Sequence, residues 1–157
     1  MWIVTDISDM VNSNQSEIKK YSPKRSAFIH ILIVLFILLP ILVFVLGWDS
    51  FSARPYLIIS VLPPIVIILH IYFDTYYCIG QGKLFYKSGF LKGEIPISQI
   101  KEVVKNITVY VGVKPALGPK GLLIKYNKWD EVYITPEDNE VFVMDLLKEN
   151  DQIKVSS

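Results

Sequence analysis

Two apolar runs, residues 27–47 and 56–73, stand almost back to back in this chain of 157 residues, and neither contains Asp, Glu, Lys or Arg. About 20 apolar residues in helical form cross the hydrocarbon core of a bilayer, and these runs bracket that length. The first holds seventeen Leu, Ile, Val or Phe residues; the second holds twelve, interrupted by Ser60, Pro63, Pro64 and His70. At roughly −0.3 to −0.6 kcal/mol for each such residue near the bilayer centre, the first run inserts unaided and the second is read as completing a hairpin. Eight residues, 48–55, join them. That is too few for a domain, so the two helices are expected to be antiparallel neighbours. Pro40, Pro63 and Pro64 are expected to kink them near mid-depth. Trp48 and Tyr56 suit an aromatic belt at one surface, and Tyr72, Tyr76 and Tyr77 at the other. A cleaved signal peptide fits poorly, because the stretch ahead of the first run is long, the run exceeds an h-region and no small-x-small site follows.

Basic residues set the orientation. Lys19, Lys20, Lys24 and Arg25 precede the first run, Lys83, Lys87 and Lys92 follow the second, and the connection offers only Arg54. Both chain ends are therefore expected in the cytoplasm. Residues 1–26 carry a weak helical pattern of Ile3, Ile7, Met10 and Val11, open to two readings: a short amphipathic helix on the membrane surface or a mobile cytoplasmic tail.

Beyond residue 73 the texture changes to alternating apolar and charged residues. The whole chain is 52% hydrophobic yet 20% charged, as an average over a membrane piece and a water-facing piece would be. From residue 74 on, eleven Lys balance eleven Asp plus Glu, and Arg is absent. That balance removes a general electrostatic case for nucleic acid. The single cysteine, Cys78, has no partner for an internal disulfide and reads as a small core residue of a strand.

Strands are expected at 76–79 and 83–87, flanking the tight turn Gly80-Gln81-Gly82, then after Ser88-Gly89 at 91–97, 101–105 and 107–112. Pro96 cannot donate to a ladder, so its strand is an edge or the residue turns its missing donor outward. Two more follow at 121–127, with Leu122, Ile124 and Tyr126 on one face, and at 130–135, with Val132 and Ile134 inward. The last element is a helix: Thr135 as cap, Pro136 at the first position, acidic residues in the first turn, an apolar stripe of Phe142, Val143, Leu146 and Leu147, and Asn150 as a left-handed cap. The chain thus reads as α+β: a cytoplasmic tail (1–26), a two-helix transmembrane hairpin (27–73), and a mainly β barrel or roll capped by a C-terminal helix (74–157).

Residues 76–153 resemble the bacterial pleckstrin-homology-like (PH-like) domains of the YyaB-like kind. The matching pieces are Gly82-Lys83-Leu84 leading to Ser88-Gly89, Ile95 to Ile100, Pro115-Ala116-Leu117-Gly118, Leu122 to Tyr126, and Val132 to Asp138 running into Phe142 and Leu146. Gly118 stands where the family usually has a serine, so no role resting on that hydroxyl carries over. The resemblance implies a PH-like barrel fixed to membrane helices; with the two apolar runs and the basic residues, the expected location is the bacterial cytoplasmic (inner) membrane, as a multi-pass protein. It implies no activity, since such scaffolds are reused for many partners.

Candidate contacts are few. His30 and His70 each lie one turn inside a cytoplasmic helix end, at similar depth in an antiparallel hairpin. They could share a proton, contribute to a metal site or line a polar path; the plainer reading is that each ring reaches the headgroups or bonds across the helix pair. Two ligands are too few for a metal site alone. Lys114 and Lys120 flank the Pro-Gly loop, and Lys128 with Trp129 occupies a hairpin tip; either group could meet anionic headgroups or a partner, or be solvated loop surface. No catalytic constellation, metal site or cofactor loop is legible. The expectation is a non-catalytic, membrane-anchored binding or assembly module, whose partners are the bilayer and a protein or further copies of itself. The alternatives are an accessory subunit of a transport or channel complex and an anionic-lipid sensor.

Overall fold

The computed structural model describes residues 18–47, 62–109 and 115–157, with Val43 described by its backbone alone. Lys19–Tyr21 form strand β1, followed by helix α1 (Ala27–Leu46) and helix α2 (Leu62–Phe73). Strands β2 (Thr75–Gly80), β3 (Lys83–Ser88) and β4 (Leu91–Pro96) lead through a 3-10 turn, Ile97–Gln99, into β5 (Ile100–Ile107). Then come β6 (Gly121–Tyr126), β7 (Asp130–Ile134), helix α3 (Asn139–Glu149) and β8 (Lys154–Ser156).

The strands form two four-stranded sheets, ordered β1-β2-β3-β4 and β7-β6-β5-β8, antiparallel throughout except that β8 runs parallel to β5. Local chemistry explains the meanders. Gln81 and Gly82 both take positive φ, 55° and 68°, the geometry a two-residue hairpin needs to match strand twist. Pro96 ends the edge strand β4, where its missing donor costs nothing. Between the sheets lies one core of Tyr77, Leu84, Ile95, Val103, Leu122, Ile124, Val132 and Ile134, closed by Phe142, Val143 and Leu146 of α3. Cys78 is buried beside Tyr76 and Phe85, on the opposite face of β2.

The N-terminal stretch differs from the tail expected over 1–26. Residues 1–17, with the pattern of Ile3 to Val11, lie outside the described residues. Residues 19–21, however, pair with 77–79 of β2, and residues 22–24 continue onto the chain just beyond β7. There Lys24 N–H donates to Thr135 O (2.7 Å), Glu137 N–H donates to Ser22 O (2.9 Å), and Pro23 bridges Pro136. The segment therefore laces the free edge of one sheet to the free edge of the other. The apolar helices are an insertion between two paired strands of one domain.

Asp145 of α3 secures this lace. It accepts hydrogen bonds from Lys19, from Tyr21 Oη (2.5 Å) and from Lys148 (2.7 Å). Hydrogen bonds from Lys148, Lys19 and Tyr21 hold its carboxyl well below the usual aspartate range. A carboxylate depressed in the folded state stabilises that state fully above its unfolded pKa of about 3.9, and the contribution is lost as pH falls through the lower native value. Asp145→Asn is expected to lower the melting temperature at neutral pH and to flatten the acid limb of stability below about pH 4, read by thermal unfolding of the full chain across pH.

Several local expectations are corrected. Helix α3 starts at Asn139, capped by Asp138, which accepts from the N–H groups of Glu140 (2.9 Å) and Val141 (3.0 Å). Thr135 is instead buried, its hydroxyl accepting from Leu117 N–H at 3.1 Å. Asn150 is extended (φ −151°) rather than left-handed, and its side-chain amide donates to Ile97 O at 3.2 Å. Tyr76 and Tyr77 are buried in the domain, not in an interfacial belt. Of the strand expected at 107–112, Ile107 ends β5, Thr108 and Val109 lie in no strand, and the rest falls outside the described residues. Among the described residues one helix, α1, is long and apolar enough to cross a membrane; α2 spans 12 residues. Trp48, Tyr56 and the rest of 48–61 lie outside the described residues. Pro40 sits inside a continuous α1, and Pro63 and Pro64 sit in the first described turn of α2.

Candidate functional site

Strand register gives the domain two distinct ends. Thr75, Ser88 and Leu91 lie together in sheet register where the helices are attached, while Gly80, Lys83 and Pro96 lie at the other end. In the second sheet Ile107, Gly121 and Ile134 belong to the helix end, because Thr135 holds Lys24 there. Tyr126 and Asp130 belong to the far end, where Asn127 N–H donates to Gln99 O at 3.2 Å. Six residues of β6 separate the two ends by about 20 Å at the rise of a strand.

At the helix end, both helices are rooted without a linker. Ser26 Oγ donates to Leu117 O (3.1 Å), and Thr75 Oγ1 donates to Ile71 O (2.6 Å) and shares a hydrogen bond with Ser88 Oγ (2.9 Å). A Cβ at Gly118 would lie 3.1 Å from Lys24 O, so the bare backbone of this loop lets the lace pass. His30 bonds Ser26 O through Nδ1 and Tyr72 Oη through Nε2, both at 3.0 Å, and the Arg25 guanidinium lies 4.6 Å from the Tyr72 ring centre. This ties the start of α1 to the end of α2. His70 faces elsewhere: its Nε2 lies 3.8 Å from Asp74 Oδ2 and its ring packs on Phe90. The two histidines thus each have separate partners. An apolar cleft of about 470 Å³ opens beside the root, lined by Phe28, Ile29, Ala116, Leu117 and Pro119.

The remaining candidates divide between the ends. Lys114 lies outside the described residues. Lys120 is at the helix end in a left-handed turn (φ 56°), its N–H donating to Thr108 Oγ1 at 3.0 Å and its carbonyl accepting from Asn139 Nδ2 at 2.9 Å. Lys128 and Trp129 are at the far end, and Trp129 is 86% exposed rather than folded over the sheet. The turn that carries them is held by Asn127 Nδ2 donating to Asp130 Oδ2 at 2.8 Å. Lys120 and Trp129 therefore lie at opposite ends of the domain. A polar cleft of about 630 Å³ also opens at the far end, lined by Gly82, Ile97, Ser98, Lys148 and Asn150. Sequence reasoning weighed a bond from each histidine across the helix pair but named neither Tyr72 as the partner of His30 nor the contacts of Arg25 and of Ser26 with Leu117. The only signal was the cluster of basic and aromatic residues flanking each apolar run.

Two mainly antiparallel sheets around one core, closed by a C-terminal amphipathic helix, define a PH-like domain. Residues 75–150 match the family described as bacterial PH domain. The chain is also similar to "Uncharacterized protein YyaB" of Bacillus subtilis (strain 168), with 29% identity over 140 residues, covering 85% of this chain and 94% of that protein. The two likenesses together support a YyaB-like bacterial PH domain over residues 75–150. No solved structure matches the chain.

Proposed function

We propose that this protein is a membrane-anchored, non-catalytic binding and assembly module that holds its PH-like domain against the cytoplasmic face of the bilayer. One observation carries the reading: the apolar segment 27–73 is inserted between β1 and β2, which are hydrogen-bonded neighbours in one sheet. A chain that leaves and re-enters a single folded unit returns to the side it left, so its crossings come in pairs. The side chains of α1 are exposed along the helix, including Leu35, Leu38, Leu42 and Val45, as a lipid-facing helix requires. Basic residues at the root, Lys20, Lys24 and Arg25, favour the cytoplasmic side.

The direct root also supports assembly, since it confines the domain to the membrane surface at high effective concentration with its far end turned to the cytoplasm. Trp129 is then the natural contact: an exposed aromatic on a hydrogen-bonded turn, away from lipid. Asp138 has a structural role, capping α3, and Glu102 is paired with Lys125 at 2.9 Å. The bonding of His30 and His70 to separate partners lends no support to a shared proton path.

The test has two parts. Full-length protein should resist alkaline extraction from membranes, and protease added outside intact cells should leave the domain whole. In-membrane crosslinking should capture neighbours of the same or another chain, and Trp129→Ala should weaken that association about tenfold or more without changing the melting temperature. Recovery in the aqueous fraction, or crosslinking that yields only monomer, would overturn the reading.

A further inference from the structure

The turn between β3 and β4 carries a phenylalanine that the domain does not bury. Phe90 is 77% exposed, and its neighbour Leu91 is 39% exposed. An apolar tip in open solvent would gain nothing. This tip, however, is fixed against the last turns of α2. Gly89 N–H donates to Asp74 O at 3.2 Å, and a Cβ at Gly89 would lie 2.8 Å from Ile71 Cγ1, so only glycine lets the turn come this close. Gly89 also takes φ +56°, which side chains other than glycine adopt at a cost. The Phe90 ring packs on His70 with centroids 4.8 Å apart. His70 is four residues back from Asp74, or about 6 Å up the helix axis. Phe90 is therefore level with a residue inside α2, not with its end.

From this placement we infer that the β3–β4 turn is a third point of membrane insertion, with Phe90 and Leu91 seated at the boundary between headgroups and acyl chains beside α2. The inference rests on the anchoring proposed above. What covers the tip follows from continuity with α2: Val66, exposed and four residues before His70, lies one turn further along the same helix face, so the apolar surface beside Phe90 continues up the helix. One residue pair below the tip, exposed Lys92 stands opposite Lys87 in register, at the level of headgroup phosphates, while Lys87 itself is paired with Asp74 (Nζ to Oδ2 3.1 Å). An aromatic tip over a basic base is the chemistry of an interfacial anchor. Its consequence is orientation. With α1, α2 and the turn all engaged, the domain cannot swivel about its root, and the end bearing Trp129 is held pointing away from the bilayer.

The test uses the full chain with Cys78 replaced by alanine, reconstituted in vesicles of phosphatidylcholine and phosphatidylglycerol. An environment-sensitive fluorophore is attached at Phe90→Cys and, in separate samples, at Leu91→Cys, Leu38→Cys in α1 and Lys128→Cys at the far end. The labels at 90 and 91 should emit to the blue of the label at 128, be quenched by a nitroxide lipid labelled near the headgroup, and resist iodide. If they match the label at 128 in emission and iodide access while the label at 38 stays in lipid, the turn is not inserted and the anchor stands. If the label at 38 is also aqueous, both readings fail. Blue emission without quenching by lipid would mean that protein covers the tip, and would equally overturn the inference.

Discussion

Phe142→Ala is expected to cost the domain about 3–5 kcal/mol, as loss of a fully enclosed aromatic ring typically does. Phe142 is inaccessible to solvent and packs edge-to-face on Tyr21 (centroids 4.8 Å apart) and Tyr77 (6.3 Å). It therefore joins three parts of the chain: the lace ahead of α1, the strand after α2, and the closing helix. A small domain has only about 5–15 kcal/mol of stability in total, so the variant should sit near the edge of folding. Thermal unfolding of full-length protein in detergent, followed by near-ultraviolet circular dichroism, measures the loss. A cost under about 1 kcal/mol would mean that α3 does not plug the core as described.

Gly121→Ala should come next in severity. A Cβ there would lie 2.2 Å from Ile134 O and 2.6 Å from Thr135 Cγ2. The first obstacle is backbone in a paired strand, which no rotamer change relieves, and overpacking of this kind costs about 1–3 kcal/mol or more. The damage should spread to the root. Tyr77 Oη accepts from Thr135 N–H (3.2 Å) and donates to Pro115 O, while Thr135 O holds Lys24. Displacing residues 134–135 should release the lace and speed tryptic cleavage at Lys24 and Arg25. Gly82→Ala provides the contrast: nothing lies within 4 Å of its added Cβ, so it should show only the strain of φ +68°, about 1–2 kcal/mol, with no effect at Lys24. Equal cleavage rates in the two variants would show that Gly121 does not support the root.

The elements legible in advance share one property: their cause is local. The turn within Gly80-Gln81-Gly82, the inward set Leu122, Ile124, Val132 and Ile134, and the stripe of α3 follow from spacing and backbone preference, although Gln81 rather than Gly80 shares the positive φ with Gly82. Strands β1 and β8 were missed because each is three residues long, too short to display a period, and exists through pairing with β2 or β5. The cap of α3 was misplaced by three residues because Thr135 and Asp138 are equally good caps in isolation. Thr135 is occupied by Leu117 and Tyr77, contacts that lie far off in sequence.

The candidate site divides in the same way. Exposed Trp129 could be singled out from a polar turn, but its distance from Lys120 could not, since that depends on which ends of β6 and β7 meet the helices. The histidines matched in depth on paper, yet Tyr72 and Phe90 take their rings in different directions.

By itself, then, the amino-acid order determined where apolar surface accumulates, at what period, and where the backbone can turn, because those depend on neighbours a few bonds away. Only the tertiary structure decided that the segment ahead of the helices belongs to the same domain as the strands behind them. That outcome rests on hydrogen bonds between residues 19–24 and partners at 77–79 and 135–137, and pairing at such separation is set by the whole core rather than by any stretch of it.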